Sequence, residues 1–267
     1  MSRDIKIKKG LNINLKGEAE KTLSKAPRAA TFAIRPKDFH LVTPKMVLKE
    51  GASFKAGEVL FYDKNNESVK FVAPVSGTLS SIERGAKRVI NQLLIQADAE
   101  DTYVSHAPLD LSKASAEEIK AHLLATGCWP FITQRPYHVM AHPDHSPKAI
   151  FVSGYTTAPL AADLDFTLIG KESELQAALT ALSKLTSGPV HVCVGRDSNS
   201  PLKGLKDCQV HSISGPHPAG NVGVQIAQID PVNKGEVVWT VKAEDLVIIG
   251  ELLLTGKFNA ERIVALA

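Results

Sequence analysis

The chain carries two hydrophobic rhythms, one in each half. Up to about residue 100 the apolar residues fall in short runs: Val59-Leu60-Phe61-Tyr62, Val69-Lys70-Phe71-Val72 and Thr78-Leu79-Ser80-Ser81-Ile82. Gly51, Gly57, Gly77 and Gly85 punctuate them. Runs of this length between turn residues predict strands, and no 3.6-residue period survives across them. Ala73-Pro74-Val75-Ser76-Gly77 predicts a chain corner, because Pro74 has no N–H to give a central ladder. The expectation is a compact antiparallel β module.

From about residue 110 the period lengthens. Ser115 and Glu118 have capping-box spacing; Ile119, Leu123 and Leu124 follow on one helical face, and Gly127 and then Pro130 end it. Ala149-Ile150-Phe151-Val152 has strand length and β-branched content. Ser173 and Gln176 predict a second capping box, heading the stripe Leu175, Ala178, Leu179, Leu182 and Leu185, which Gly188-Pro189 stops. Further strands are predicted at 190–194, 209–213 and 236–241. A helix is predicted at 243–255, stopped by Gly256, and a last strand at 262–266. An apolar strand with no polar tail is an unusual terminus, so the sequence is expected to continue in a longer protein. Strands alternating with helices argue for an α/β layer with partly parallel strands.

Composition narrows this picture. With 44% apolar and 22% charged residues the chain is neither disordered, collagen-like nor coiled coil. Its 267 residues suggest one large domain or two modest ones. A net charge of +3, from 31 basic and 28 acidic residues, argues against a massed cationic face for nucleic acid. Cys128, Cys193 and Cys208 form no C-x-x-C pair, which removes support for a zinc ribbon, an iron–sulfur ligand set or a redox dithiol. Reduced thiols of a cytosolic protein are the simplest reading. No apolar run reaches the ~18 residues of a membrane span. The basic N-terminus has neither the apolar core nor the cleavage site of a secretory signal. Work at a membrane would need a partner.

Four constellations carry candidate chemistry. Val47, Gly51, Gly57 and Leu60, with the Ala73-Pro74-Val75-Ser76-Gly77 corner, resemble the repeat of lipoyl- and biotinyl-type modules. Lys64 lies near a hairpin tip, either as the attachment point of a swinging arm or as a solvated turn residue. Arg84, Lys87 and Arg88 surround Gly85, a set able to hold a phosphate or carboxylate or to be a solvated turn. His138, His142 and His145, with Asp144, have zinc-like spacing, but Pro143 and Pro147 break the helix that would align them. Surface or loop histidines are the plainer reading. The fourth is Ser214-Gly215-Pro216-His217-Pro218-Ala219-Gly220-Asn221-Val222-Gly223, between a predicted strand and a helix start near Val224. Its glycines permit close approach of a ligand at a helix N-terminus, yet it is neither G-x-G-x-x-G nor a P-loop, and its prolines remove two donors. A rigid turn presenting one imidazole is the alternative.

The string Gly215-Pro216-His217-Pro218-Ala219-Gly220-x-x-Gly223 resembles a signature of the NqrA family, whose members belong to the sodium-translocating NADH:quinone oxidoreductases. Ile7-Lys8-Lys9-Gly10-Leu11, Asp63-Lys64, Val69-Lys70-Phe71, Ala73-Pro74, Arg84-Gly85-Ala86-Lys87-Arg88, Trp129, Arg135-Pro136, Lys148-Ala149-Ile150-Phe151-Val152, Pro231-Val232-Asn233 and Leu254-Thr255-Gly256 agree with it in order. The resemblance covers nearly the whole chain. It implies an α+β/α/β protein. A lipoyl/biotinyl-like β module of barrel-sandwich type (1–105) precedes a Rossmann-like α/β domain (106–267) similar to the flavoprotein subunit of respiratory complex I. The family's chain continues past this terminus into a ubiquitin-like module.

The resemblance implies a role as well. The whole complex uses NADH, flavins, iron–sulfur chemistry and ubiquinone, and exports sodium ions. The NqrA component is peripheral, on the cytoplasmic face of the bacterial inner membrane, without a transmembrane segment, and docks on the membrane component NqrB. Related flavoproteins carry a G-x-G-G-A-G-F type motif; here Gly127-Cys128-Trp129-Pro130-Phe131 holds one glycine and a proline. The expectation is no bound flavin, NADH or metal in this subunit, no independent catalysis and no nucleic-acid partner. Any quinone site is expected to be weak or partial, with His217, Gly215, Gly220, Gly223, Arg84, Lys87 and Arg88 as candidates. The competing readings are a stand-alone flavin-dependent oxidoreductase and a carrier modified at Lys64.

Overall fold

The fold is seen in a computed structural model that describes residues 2–17 and 19–266. Its strands, in chain order, are β1 (Asp4–Lys6), β2 (Thr31–Ile34), β3 (Pro44–Met46), β4 (Ser53–Phe54), β5 (Val59–Asp63), β6 (Asn66–Val72), β7 (Gly77–Arg84), β8 (Ile90–Ala97), β9 (Thr133–Arg135), β10 (Val139–Met140), β11 (Ile150–Gly154), β12 (Val190–Gly195), β13 (Gln209–Ser214) and β14 (Val238–Lys242). The helices are α1 (Ala116–Ala125), α2 (Leu164–Thr167), α3 (Glu172–Lys184), α4 (Val222–Ile229) and α5 (Ala243–Thr255).

The first hundred residues build two small antiparallel sheets, β2-β8-β7-β4 and β3-β5-β6. The predicted corner at Pro74 separates β6 from β7, as its missing N–H requires. Alternating residues of these strands, among them Leu60, Leu79, Leu93 and Ile95, are fully buried.

The second half builds a seven-stranded sheet in the order β1-β13-β12-β11-β14-β9-β10. β1, β13, β12, β11 and β14 run parallel; β9 and β10 are antiparallel. Counting β11 as first, the parallel strands stand in the order third, second, first, fourth, the doubly wound pattern. β12 is buried at every position because both faces are covered. On one face lie α3 and α5, with Leu175, Leu179, Leu246 and Ile249; on the other, α4 places Ile226 and Ile229 against Phe151 and Cys193. β1 comes from the extreme N-terminus, so the chain's first strand lies in the layer built by its second half.

Local signals account for most boundaries. Ser115 and Glu118 form both bonds of the capping box, and Gly127 takes the left-handed conformation (φ 77°) after α1. α5 begins and ends as its pattern predicts, at Gly256 (φ 71°). Three expectations are corrected. Ser173 and Gln176 form no capping box: α3 starts at Glu172 with Lys171 as its N-cap, Ser173 turns to Glu174, and Gln176 bonds Thr180 and Lys206. Residues 262–266 are no strand but exposed irregular chain that pairs with no strand among the described residues, and Arg262 is drawn to Asp245 instead. α4 starts at Val222, two residues earlier than predicted, and so takes in Gly223.

One hydrophobic cluster runs through both halves: Leu60, Phe71 and Leu93 belong to the same core as Leu123, Trp129, Leu179 and Leu252. α1 and the turn Trp129–Phe131 pack on β6. Gly127 lies so close to Val72 that a Cβ there would sit 2.5 Å from its Cγ2.

Candidate functional site

The His217 loop connects β13 to α4 at the carboxyl end of the sheet. Its shape follows from three neighbours. The N-terminal segment runs beside it: Ile7 N–H donates to the Ser214 carbonyl (2.8 Å), Leu11 N–H to the His217 carbonyl (3.0 Å), and His217 N–H to Asn12 Oδ1 (3.0 Å). Gly215 (φ 125°) is needed there, because a Cβ would stand 2.2 Å from the Ile7 carbonyl oxygen. The turn after β11 forms the second wall. Thr157 Oγ1 accepts from Gly220 N–H (3.0 Å) and pairs with His217 Nδ1 (2.9 Å), while Gly220 lies against the Thr156–Thr157 backbone, where a Cβ would come within 2.3 Å. From below, the fully buried Gln225 of α4 donates to Ser153 Oγ (2.9 Å) and to the Ala219 carbonyl (3.4 Å).

Each glycine of the motif therefore has a place. Gly215 and Gly220 allow backbone contact with other segments, and Gly223 sits exposed in the first turn of α4. The loop is half-buried and wedged between segments, which makes it architectural first. His217 keeps Nε2 as the ring nitrogen without a hydrogen-bond partner among the described residues.

Arg84, Lys87 and Arg88 occupy the β7–β8 hairpin of the four-stranded sheet. Lys87 (φ 55°) and Arg88 (φ 61°) are left-handed, and Arg84 Nη1 donates to the Arg88 carbonyl (3.1 Å). All three side chains are exposed and enter no ion pair among the described residues. The structure does not join this hairpin to the His217 loop: they stand on different sheets, and no hydrogen bond or ion pair among the described residues links them.

Lys64 stands exposed in the two-residue turn between β5 and β6. Its own N–H is held by the Thr43 carbonyl (2.8 Å), and Asp63 Oδ1 accepts from the N–H groups of Thr43 and Asn65. The histidine cluster is irregular chain around β10: the His142 and His145 rings lie 4.9 Å apart, and His145 pairs with Gln134 (2.9 Å). Among the described residues no group of three or more His, Cys, Asp or Glu is arranged to hold a metal.

Sequence reasoning missed two features. Thr157 gives no motif signal, yet it fixes the His217 ring from 60 residues away. Beside it, an open crevice of ≈ 440 Å³ lies at the carboxyl ends of β11, β12 and β13, bordered by Tyr155, Thr156, Asp163, Arg196 and Ser214. Two of its charges are committed: Arg196 pairs with Asp4 (2.7 Å), and Asp163 with Lys21 (2.5 Å), a partner that holds the Asp163 carboxyl below its ordinary range. Only the topology of the parallel strands reveals this place.

Residues 5–98 match the NqrA N-terminal barrel-sandwich hybrid domain, and residues 114–258 match the NqrA second alpha/beta domain. The chain belongs to the NqrA family. It is 37% identical over 98% of its length to the NqrA component of the Na(+)-translocating NADH-quinone reductase of Neisseria gonorrhoeae (strain NCCP11945). It is 36% identical, again over 98% of its length, to the proteins of the same name from Cellvibrio japonicus (strain Ueda107) and Histophilus somni (strain 2336). The match covers 59% of each of these longer relatives, so the chain spans about three-fifths of a full-length NqrA-family protein. Its antiparallel β module and its mixed α/β layer are the first two domains of that family. Among the described residues no helix is long and apolar enough to cross a membrane.

Proposed function

We propose that this chain is the scaffold part of the peripheral NqrA component of a sodium-pumping NADH:quinone reductase. The observation that carries the reading is identity of 37% spread over 98% of the chain to a protein of that name. In this reading it docks on the membrane component NqrB at the cytoplasmic face of the inner membrane. NADH, flavins, iron–sulfur chemistry and sodium are handled by its neighbours, and it has no catalysis of its own. Its two units divide near residue 105, and its second unit is a Rossmann-like relative of the complex I flavoprotein.

The residues present do not fit a dinucleotide or flavin. In the doubly wound fold the pyrophosphate needs a glycine-rich turn after the first strand, running into a helix N-terminus. Here β11 is followed by Tyr155-Thr156-Thr157-Ala158-Pro159, and Gly220 packs against the Thr156–Thr157 backbone.

A quinone carbonyl needs a donor and an apolar wall. His217 Nε2 supplies the donor, held in orientation through Nδ1 by Thr157. Arg84, Lys87 and Arg88 are separate donors on the far hairpin. The wall comes from a neighbouring protein of the complex or from the continuation of the chain.

Co-purification of the full-length protein with NqrB tests the docking; no association in detergent or membranes rejects it. Incubation with flavin followed by gel filtration tests the scaffold reading, which expects a colourless protein. His217→Ala in the assembled complex is expected to lower quinone reduction severalfold while NADH oxidation with an artificial acceptor is retained. Unchanged quinone kinetics remove the loop from the site.

A further inference from the structure

The β9–β10 end of the seven-stranded sheet carries cations that the quinone-side reading does not use. β9 pairs with β14 so that Thr133 stands opposite Thr240 and Arg135 opposite Val238. Directly opposed residues, and every second residue along a strand, share a face. Thr133, Arg135, Thr240 and Lys242 therefore line one face, and the two threonine hydroxyls meet on it at 2.6 Å. β10 pairs Val139 with Gln134, which brings the preceding residue, His138, beside Arg135. α4 covers this face over β11; Lys242, opposite Ser153 of β11, and His138, beside Arg135 four residues along β14 from it, are exposed.

The cluster lacks counter-charge. Among the described residues no carboxylate pairs with Arg135, His138 or Lys242. Asp245, which feels Lys242 and follows it in the first turn of α5 with Glu244, is held by Arg262. The Arg135 Nε is buried without a hydrogen-bond partner among the described residues. A buried, unpaired guanidinium N–H is costly, and a ligand acceptor relieves that cost. Burial holds Arg135 below the ordinary range of an arginine. His138, though its residue is largely exposed, is pulled down first by partial desolvation of its ring, then by the positive charges of Arg135, Lys242 and His40.

We propose that Arg135, Lys242 and His138, with the Thr133–Thr240 hydroxyl pair between them, form a binding site for an oxyanion of the phosphate class. The guanidinium fork matches two oxygens of such a group, the ammonium adds a point charge, and at most one hydroxyl hydrogen of the threonine pair is left over, since Thr133 Oγ1 also lies 3.2 Å from the Thr240 carbonyl. The site takes either free phosphate or the phosphate of a lipid headgroup.

The test is calorimetric titration of the purified chain with inorganic phosphate at fixed ionic strength, beside co-sedimentation with phosphatidylglycerol and with phosphatidylcholine vesicles. Arg135→Gln and Lys242→Gln are the variants; Lys242 is exposed, so its replacement leaves the fold intact even if the Arg135 variant fails to fold. Saturable phosphate binding weakened about tenfold by Lys242→Gln supports the site with a free anion. Binding to phosphatidylglycerol vesicles alone, lost in the same variant, supports it with a lipid headgroup. Binding of neither probe, or binding that Lys242→Gln leaves unchanged, overturns it.

Discussion

At the scale of single residues, the informative groups are buried polar ones whose partners lie far along the chain. His191 on β12 and His211 on β13 share a hydrogen bond of 2.9 Å, and the Arg3 N–H donates to His211 Nδ1 (3.1 Å). His211 must then carry its proton on Nε2 and give it to His191 Nδ1, so both rings are neutral. Burial, then the neighbouring His211, pushes His191 down to about 4. A histidine whose folded pKa is depressed binds more protons unfolded, so its contribution to stability is fully present above about 6.5 and is lost as pH falls toward 4. Over that window the protein is expected to lose on the order of 3 kcal/mol through this residue. Denaturant midpoints measured across it should fall steeply in the wild type and more gently in His191→Gln, which keeps an acceptor for His211. Parallel slopes in the two proteins would show that the pair is silent.

A second residue-scale case is Asp245, buried in the first turn of α5 with its carboxyl raised by burial and partly restored by Arg262. Arg262→Ala leaves that carboxylate without its cation and is expected to cost about 1–3 kcal/mol. Asp245→Asn in the same chain should recover part of the loss. A double variant no better than the single one would place the cost in lost packing of Arg262 over Phe131, whose ring lies 5.6 Å from the guanidinium.

At the scale of elements, the helix caps show where local code governs. Gly256 closes α5 in a left-handed conformation and lies so near the His106 carbonyl oxygen that a Cβ would come within 1.9 Å. Gly256→Ala is expected to lower stability by roughly 2–4 kcal/mol, about 1 from conformation and the rest from displaced backbone. Gly235, also left-handed (φ 85°) but with open space around it, should lose only the conformational part in Gly235→Ala. Thermal melts of the two variants test this order. The α1 and α5 boundaries were legible because their caps act within a few residues. The start of α3 was misread because the Ser173–Gln176 spacing is local, whereas Gln176 is claimed by Lys206 across 30 residues. The stretch 262–266 has strand composition, but a strand needs a neighbour to pair with, and composition carries no information about that.

At the scale of the whole molecule, the core does not respect the change of rhythm near residue 105. Val72 packs on Gly127, α1 packs on β6, and one cluster spans both halves. The 267-residue chain is therefore expected to unfold in one cooperative transition, with equal calorimetric and van't Hoff enthalpies. Two resolved transitions would mean that the halves are energetically separate. β1 belongs to the same argument: its pairing with β13, and the grip of residues 7–12 on the His217 loop, tie the N-terminus to the second layer.

Sequence alone determined the parts of this protein whose physics is short-ranged. Alternation and turn residues marked the antiparallel strands, caps marked α1 and α5, and the Gly-Pro-His-Pro string with its companions marked the family. The tertiary structure alone decided that Gly215 and Gly220 serve close backbone approach, that Thr157 holds His217, and that Arg84–Arg88 stands apart from that loop. It alone gathered Arg135, His138 and Lys242 on one sheet face. Those relations depend on strand order and register, which arise from burying both faces of one sheet at once, and no local stretch of chain encodes them.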